Sequence, residues 1–189
     1  MDQDTLKALL LQDRLSAYIR LRGGFPLPVA GAVYWCFIGI LGYFLPLNVW
    51  FPIALFSTGL IFPIALLCAK ICKNNFMKDK QAAGSVVVPA LIGMLVFWAM
   101  LVPAMQTAPQ LAILILAIGM SIHWPVIGWS YGRTALFSAH LFARTFIVLS
   151  IWYLLPDARM TLLPFSVSLV YIITVAVILI DTSKLRNAL

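Results

Sequence analysis

The residues able to do chemistry sit close together late in the chain. The sequence holds two histidines, His123 and His140, and near them the arginines Arg133 and Arg144. His140 precedes Arg144 by four positions, which places both on one face of a helix. Arg133 lies seven before His140, so the same spacing assigns Arg133, His140 and Arg144 to one side, with Phe137 and Ile151. Thr134, Ser138 and Thr145 make a separate small polar face suited to helix packing. His123 falls about one turn-and-return away, at a depth matching His140, so the two imidazoles are expected to approach each other across a hairpin. A guanidinium attracts an anion, and an imidazole offers hydrogen bonds and a proton that titrates near pH 6.5. Trp124, Trp129 and Tyr131 complete a candidate ligand-binding set: Arg144 holds an anion, His140 and His123 bond or switch, Arg133 draws the ligand to the inner mouth, and the rings line a pocket open on that side. The competing reading of the rings is an interfacial aromatic belt.

Other chemistries are less well supplied. All six acidic residues are Asp (Asp2, Asp4, Asp13, Asp79, Asp157, Asp181) and there is no Glu, so carboxylates for acid–base catalysis or hard-metal binding are scarce. None falls near the depth of Arg144. Its partner is then a set of helix carbonyls freed by Pro125, an anionic or polar ligand, or Asp157 at the outer surface. A haem held by His123 and His140 is an alternative; a metal site lacks a carboxylate or a nearby cysteine to complete it. Cys36, Cys68 and Cys72 read as ordinary thiols, although Cys68 and Cys72 share the spacing of one helix face. No Ser-His-Asp set, phosphate loop or metalloprotease motif is present. No catalytic residue and no metal ligand is assigned, and an enzyme is the third choice.

The elements that position these residues follow from composition. Of 189 residues, 63% are apolar and 10% are charged, whereas soluble domains run near 45–50% and about 25%. A soluble enzyme, a disordered tail and a nucleic-acid-binding domain are excluded as first readings. The expected fold is an all-α membrane protein: six transmembrane helices arranged as three hairpins, preceded by an N-terminal amphipathic surface helix. Residues 1–24 form the surface segment, with a helix over 2–22 stopped by Gly23-Gly24, and 25–189 the membrane domain. Spans are expected at about 29–46, 50–70, 85–103, 109–130, 135–155 and 162–181, each near the ~20 residues a bilayer core requires. Eleven of the thirteen Lys and Arg flank one side, Arg159 alone marks the other, and Arg144 lies within a span. The positive-inside rule then puts both termini in the cytoplasm. Prolines recur at the outer turns (Pro46 and Pro52, Pro103 and Pro109, Pro156 and Pro164), as a threefold hairpin duplication or as simple helix punctuation. Pro63 and Pro125 should kink their spans. Trp50, Trp152 and Tyr153 read as outer belt, and Asp181 as an interfacial partner of Arg133 or Lys184.

The stretch Gly128-Trp129-Ser130-Tyr131-Gly132-Arg133, followed by a span carrying His140 and Arg144, resembles small bacterial membrane-protein families with no assigned activity. The resemblance implies a bacterial cytoplasmic membrane and carries over no functional residue. The leading expectation is a polytopic membrane protein that binds or transports an anionic or polar small molecule, or a lipid headgroup. The alternative is a non-catalytic scaffold or subunit whose buried polar residues are structural. Expected partners are the bilayer, anionic lipid headgroups and a second copy in a homodimer, with no nucleic acid.

Overall fold

The computed structural model describes residues 2–188. It is all-helical among those residues, and six helical segments are long and apolar enough to cross a membrane: Arg22–Leu41, Leu47–Ile71, Ala82–Thr107, Pro109–Ser130, Thr134–Leu154 and Leu162–Asn187. The chain is a multi-pass membrane protein preceded by helix α1 (Gln3–Arg20). Asp2 caps α1 by accepting from the Thr5 N–H at 2.7 Å, an N-cap bond that satisfies one of the free amides of the first turn. Three successive positive φ values, at Arg22 (49°), Gly23 (60°) and Gly24 (65°), end it. Gly23 is required there twice over, since a Cβ would lie 2.5 Å from Ile178 and 2.7 Å from Tyr18.

Several span boundaries differ from expectation for visible reasons. The first span starts at Arg22 rather than near 29, because Pro26 and Pro28 occupy the opening turn of α2 (Pro26–Leu41), where a missing N–H costs nothing. It also stops earlier, at Leu41, since Gly42 runs so close to the Met160 carbonyl that no side chain fits. The second span is α3 (Leu47–Ser57) and α4 (Ile61–Ile71), broken ahead of Pro63. The third is α5 (Val87–Leu95) and α6 (Trp98–Thr107); Pro103 lies inside α6 instead of ending it. The fourth is α7 (Pro109–Gly119) and the short α8 (Trp124–Ser130), with Pro125 in the first turn of α8. The fifth is the unbroken α9 (Thr134–Leu154), and the sixth, α10 (Leu162–Asn187), continues past 181 into a basic last turn.

Each expected hairpin packs: α2 on α4, α6 on α7, α9 on α10. The most extensive contact is instead between α2 and α10, the first and last spans. Small residues permit it, with Gly31 against the Tyr171 ring, Gly39 against Phe165, and Ser168 Oγ donating to the Ala32 carbonyl at 2.8 Å. Close backbone approach of this kind is how helices associate where lipid removes the hydrophobic drive. Trp50 and Trp152 are not belt residues: Trp50 is fully buried and donates Nε1–H to the Ile38 carbonyl at 2.8 Å, and Trp152 is buried beneath Arg159. Tyr153 faces outward.

Candidate functional site

The buried stripe of α9 consists of Phe137, His140, Arg144, Val148, Ile151 and Trp152. Thr134 is exposed and Ser138 and Thr145 half-buried, away from the stripe. Arg144 is 0% exposed and is the one buried charged residue among the described residues. It is the eleventh of the 21 residues of α9, about 15 Å from either end. Neither the freed carbonyls of the fourth span nor Asp157 receives it. Its Nη1 donates to the Tyr171 hydroxyl at 3.1 Å, and the guanidinium lies over the rings of Trp35 (5.0 Å) and Tyr171 (5.4 Å). Nε and Nη2 have no hydrogen-bond partner. Aromatic faces supply part of what an anion would, since the ring quadrupole attracts a cation.

His140 is held by the sixth span. Its Nδ1 lies 2.8 Å from Thr174 Oγ1, and that hydroxyl donates to the Val170 carbonyl at 2.7 Å. A hydroxyl has one proton, so while Thr174 gives it to Val170 the neutral imidazole donates Nδ1–H to Thr174; Nε2 has no partner. Trp124 stacks on the imidazole with ring centroids 3.7 Å apart and planes 11° apart. Tyr171 touches both, at 4.7 Å from His140 and 5.5 Å from Trp124. His123 stands at the start of α8, 6.5 Å from Trp124, with Nδ1 unpartnered; Nε1 of Trp124 and of Trp35 are unpartnered too. The centre is therefore Arg144, His140, Trp124, Tyr171, Trp35 and Thr174, with His123 beside it.

Arg133, Trp129 and Tyr131 gather elsewhere, at the end of the bundle where α1 and the last turns of α10 meet. Arg133 does not share the face of His140, because it is the N-cap of α9 with a non-helical φ of −128° and the helical register stops there. Its Nε lies 2.9 Å from Asp181 Oδ2, off the line of a directed bond, and its Nη2 donates to Oδ1 at 3.3 Å. Trp129 is 39% exposed and carries Arg14 of α1 over its ring at 4.3 Å. Tyr131 is buried 5.8 Å from the Tyr18 ring, and burial pushes its phenol up to about 12, helped by the charge of Asp79. Burial and then Asp181 raise Tyr18 also. Arg20 grips Asp79 through Nε (2.7 Å) and Nη2 (2.8 Å), which holds the Asp79 carboxyl below its ordinary range and raises Arg20. Asp13 accepts from the Ala82 N–H at 3.0 Å, and Asn74 Nδ2 donates to the Leu21 carbonyl at 2.7 Å. These bonds tie α1 to the 70–83 segment.

Two shallow surface hollows stand out, one beside Pro109 and Trp152, the other lined by Gly132, Arg133, Leu136 and Asp181. Neither is lined by Arg144 or by Trp124. No group of three His, Cys or Asp among the described residues could hold a metal ion. A family model described as "Family of unknown function (DUF7010)" matches residues 10–181. The chain belongs to that family. The DUF7010 match takes in all of the first to fifth spans and reaches Asp181, so the Arg144 centre and the Arg133–Asp181 pair lie within it. Curated proteins and solved structures yielded no match.

Sequence spacing pointed to His140, Arg144 and Trp124 but missed Trp35, Tyr171 and Thr174, which come from the first and sixth spans. A signal was present: Tyr171 and Thr174 are three apart in an otherwise aliphatic stretch, the spacing of one helix face.

Proposed function

We propose that this protein binds a small anionic or polar solute at the Arg144 centre and carries it across the membrane. One observation bears the reading: a guanidinium buried at mid-span keeps two nitrogens without acceptors and faces no acid among the described residues. Burying such a charge is costly, and a structural role would be better served by Leu or Met. α8 is the element that moves. It has seven residues, lies between the break after Gly119 and the positive φ of Gly132 (69°), and carries the Trp124 ring that covers His140. Displacing it opens the centre toward the basic end of the bundle. The excess of Lys and Arg at that end favours the cytoplasm for both termini, with anionic headgroups as neighbours, in a bacterial cytoplasmic membrane.

The test is native mass spectrometry of the gently purified chain, wild type beside Arg144→Met. A discrete adduct on the wild type that the variant loses supports the reading and supplies a mass. Bare spectra in both remove it and favour a scaffold.

A further inference from the structure

Arg144 is distinguished from Arg20, Arg133 and Arg159 by one edge. The Nε–H and Nη2–H of a guanidinium point the same way and form a two-pronged donor matched to paired oxygens. Arg20 gives that edge to both oxygens of Asp79, at 2.7 and 2.8 Å. Arg133 turns it on Asp181, with the closer approach at 2.9 Å. Arg159 gives it to the Trp152 carbonyl at 3.1 and 2.8 Å. In Arg144 the same two nitrogens, and only those two, have no acceptor, while Nη1 is fixed by Tyr171. The edge is thus held in place by the opposite side of the group.

We propose that the Nε–Nη2 edge of Arg144 clamps the carboxylate of a small monocarboxylic acid anion. The assignment rests on the solute-binding reading above and narrows it. A carboxylate fills both prongs, as Asp79 does on Arg20. A single negative charge cancels the single buried positive one; a dianion would bring an uncompensated charge into a medium of low dielectric. The phosphodiester of a lipid presents the same paired oxygens, but it resides at the interface, about 15 Å from Arg144 by helix rise. Trp35 and Trp124 flank the centre, and both would sense an occupant by fluorescence.

The experiment uses the purified full chain in phosphatidylcholine nanodiscs. Tryptophan fluorescence is followed during titration with acetate, lactate and benzoate, with their neutral amides, and with inorganic phosphate. The expected result is a saturable change with at least one carboxylate and none with its amide or with phosphate. Arg144→Lys keeps the charge but not the fork and weakens binding by roughly tenfold or more; Arg144→Met abolishes it. Should Arg144→Met fail to fold, the lysine variant decides. No saturable response to any carboxylate, an equal response to the amides, or unchanged binding in Arg144→Lys overturns the proposal. So does an Arg144-dependent change evoked by adding phosphatidylglycerol to the nanodiscs in the absence of carboxylate, which would make lipid phosphate the occupant. An Arg144-dependent adduct in the mass spectrum, with no carboxylate binding, would remove this assignment and leave the broader reading standing.

Discussion

Trp124 lies face to face on His140, 3.7 Å between ring centroids, and this one stack joins the fourth span to the fifth at the depth of the buried arginine. The indole also touches Phe137 and Tyr171. Trp124→Ala should therefore cost on the order of 3 kcal/mol, mostly as lost packing and cavity, since lipid-like surroundings reduce the transfer share. Trp124→Phe should recover most of it. Unfolding in bicelles checks both; equal stability of Ala and Phe variants would show that the stack carries no weight.

Arg144→Met should leave stability unchanged or raise it, by up to about 2 kcal/mol. The substitution loses the Tyr171 bond and two ring contacts, but it also removes a buried charge whose Nε and Nη2 are unpartnered. Thermal unfolding in detergent, read beside the adduct measurement, separates the hypotheses. A solute site gives loss of binding with retained stability. A scaffold bolt gives the reverse, a fall in stability with nothing bound to lose.

Glycine replacements should divide by location. A Cβ on Gly31 would meet three atoms of the Tyr171 ring, the nearest at 2.8 Å, and that ring is pinned by Trp124, His140 and Arg144. Gly31→Ala should cost about 1–3 kcal/mol as overpacking. Gly93 in α5 has nothing within 4 Å of its would-be Cβ, so Gly93→Ala should be neutral or gain up to about 1 kcal/mol from helix propensity. A fluorescence-detected melting comparison of the two is sufficient.

The tie between α1 and the 70–83 segment should respond to acid. Asp79 is depressed in the folded state by its bonds from Arg20. A carboxyl depressed on folding stabilises fully above its unfolded pKa, and that contribution disappears as pH falls through the lower folded value. Amide exchange of α1 should therefore stay slow through neutral and mildly acidic pH, then rise below the ordinary carboxylate range. Asp79→Asn should exchange faster at neutral pH and show a smaller further step in acid, the remainder coming from Asp2 and Asp13. Because Arg20 is half in solvent, the effect should shrink with added salt.

The sequence was most informative where apolar length and helical spacing alone decide the outcome. Six spans, the N-terminal helix, the kink before α8 and the shared face of His140 and Arg144 all follow from local rules. Arg133 was misplaced because period arithmetic carried the helix past its true start, where a non-helical N-cap breaks register. Trp50 and Trp152 were misread as belt because distance from a turn says how deep a ring lies, not which way it faces. Trp35, Tyr171 and Thr174 were missed because their place depends on α2 meeting α10. That contact is written in Gly31, Gly39 and Ser168, residues whose meaning appears only when the partner helix is known.

The α2–α10 contact also sets a timetable for synthesis. Ser168 and Ala32 are bonded across 136 residues, so α2 lacks its main neighbour until α10 has been inserted. Through that interval the Gly31 groove is open to lipid and Arg144 has neither Tyr171 nor Thr174-bound His140 around it. Chains cut short before residue 168 should thus be stranded as incomplete bundles, recognisable to membrane proteases. The sixth span thus closes the bundle by joining the first span to the fifth.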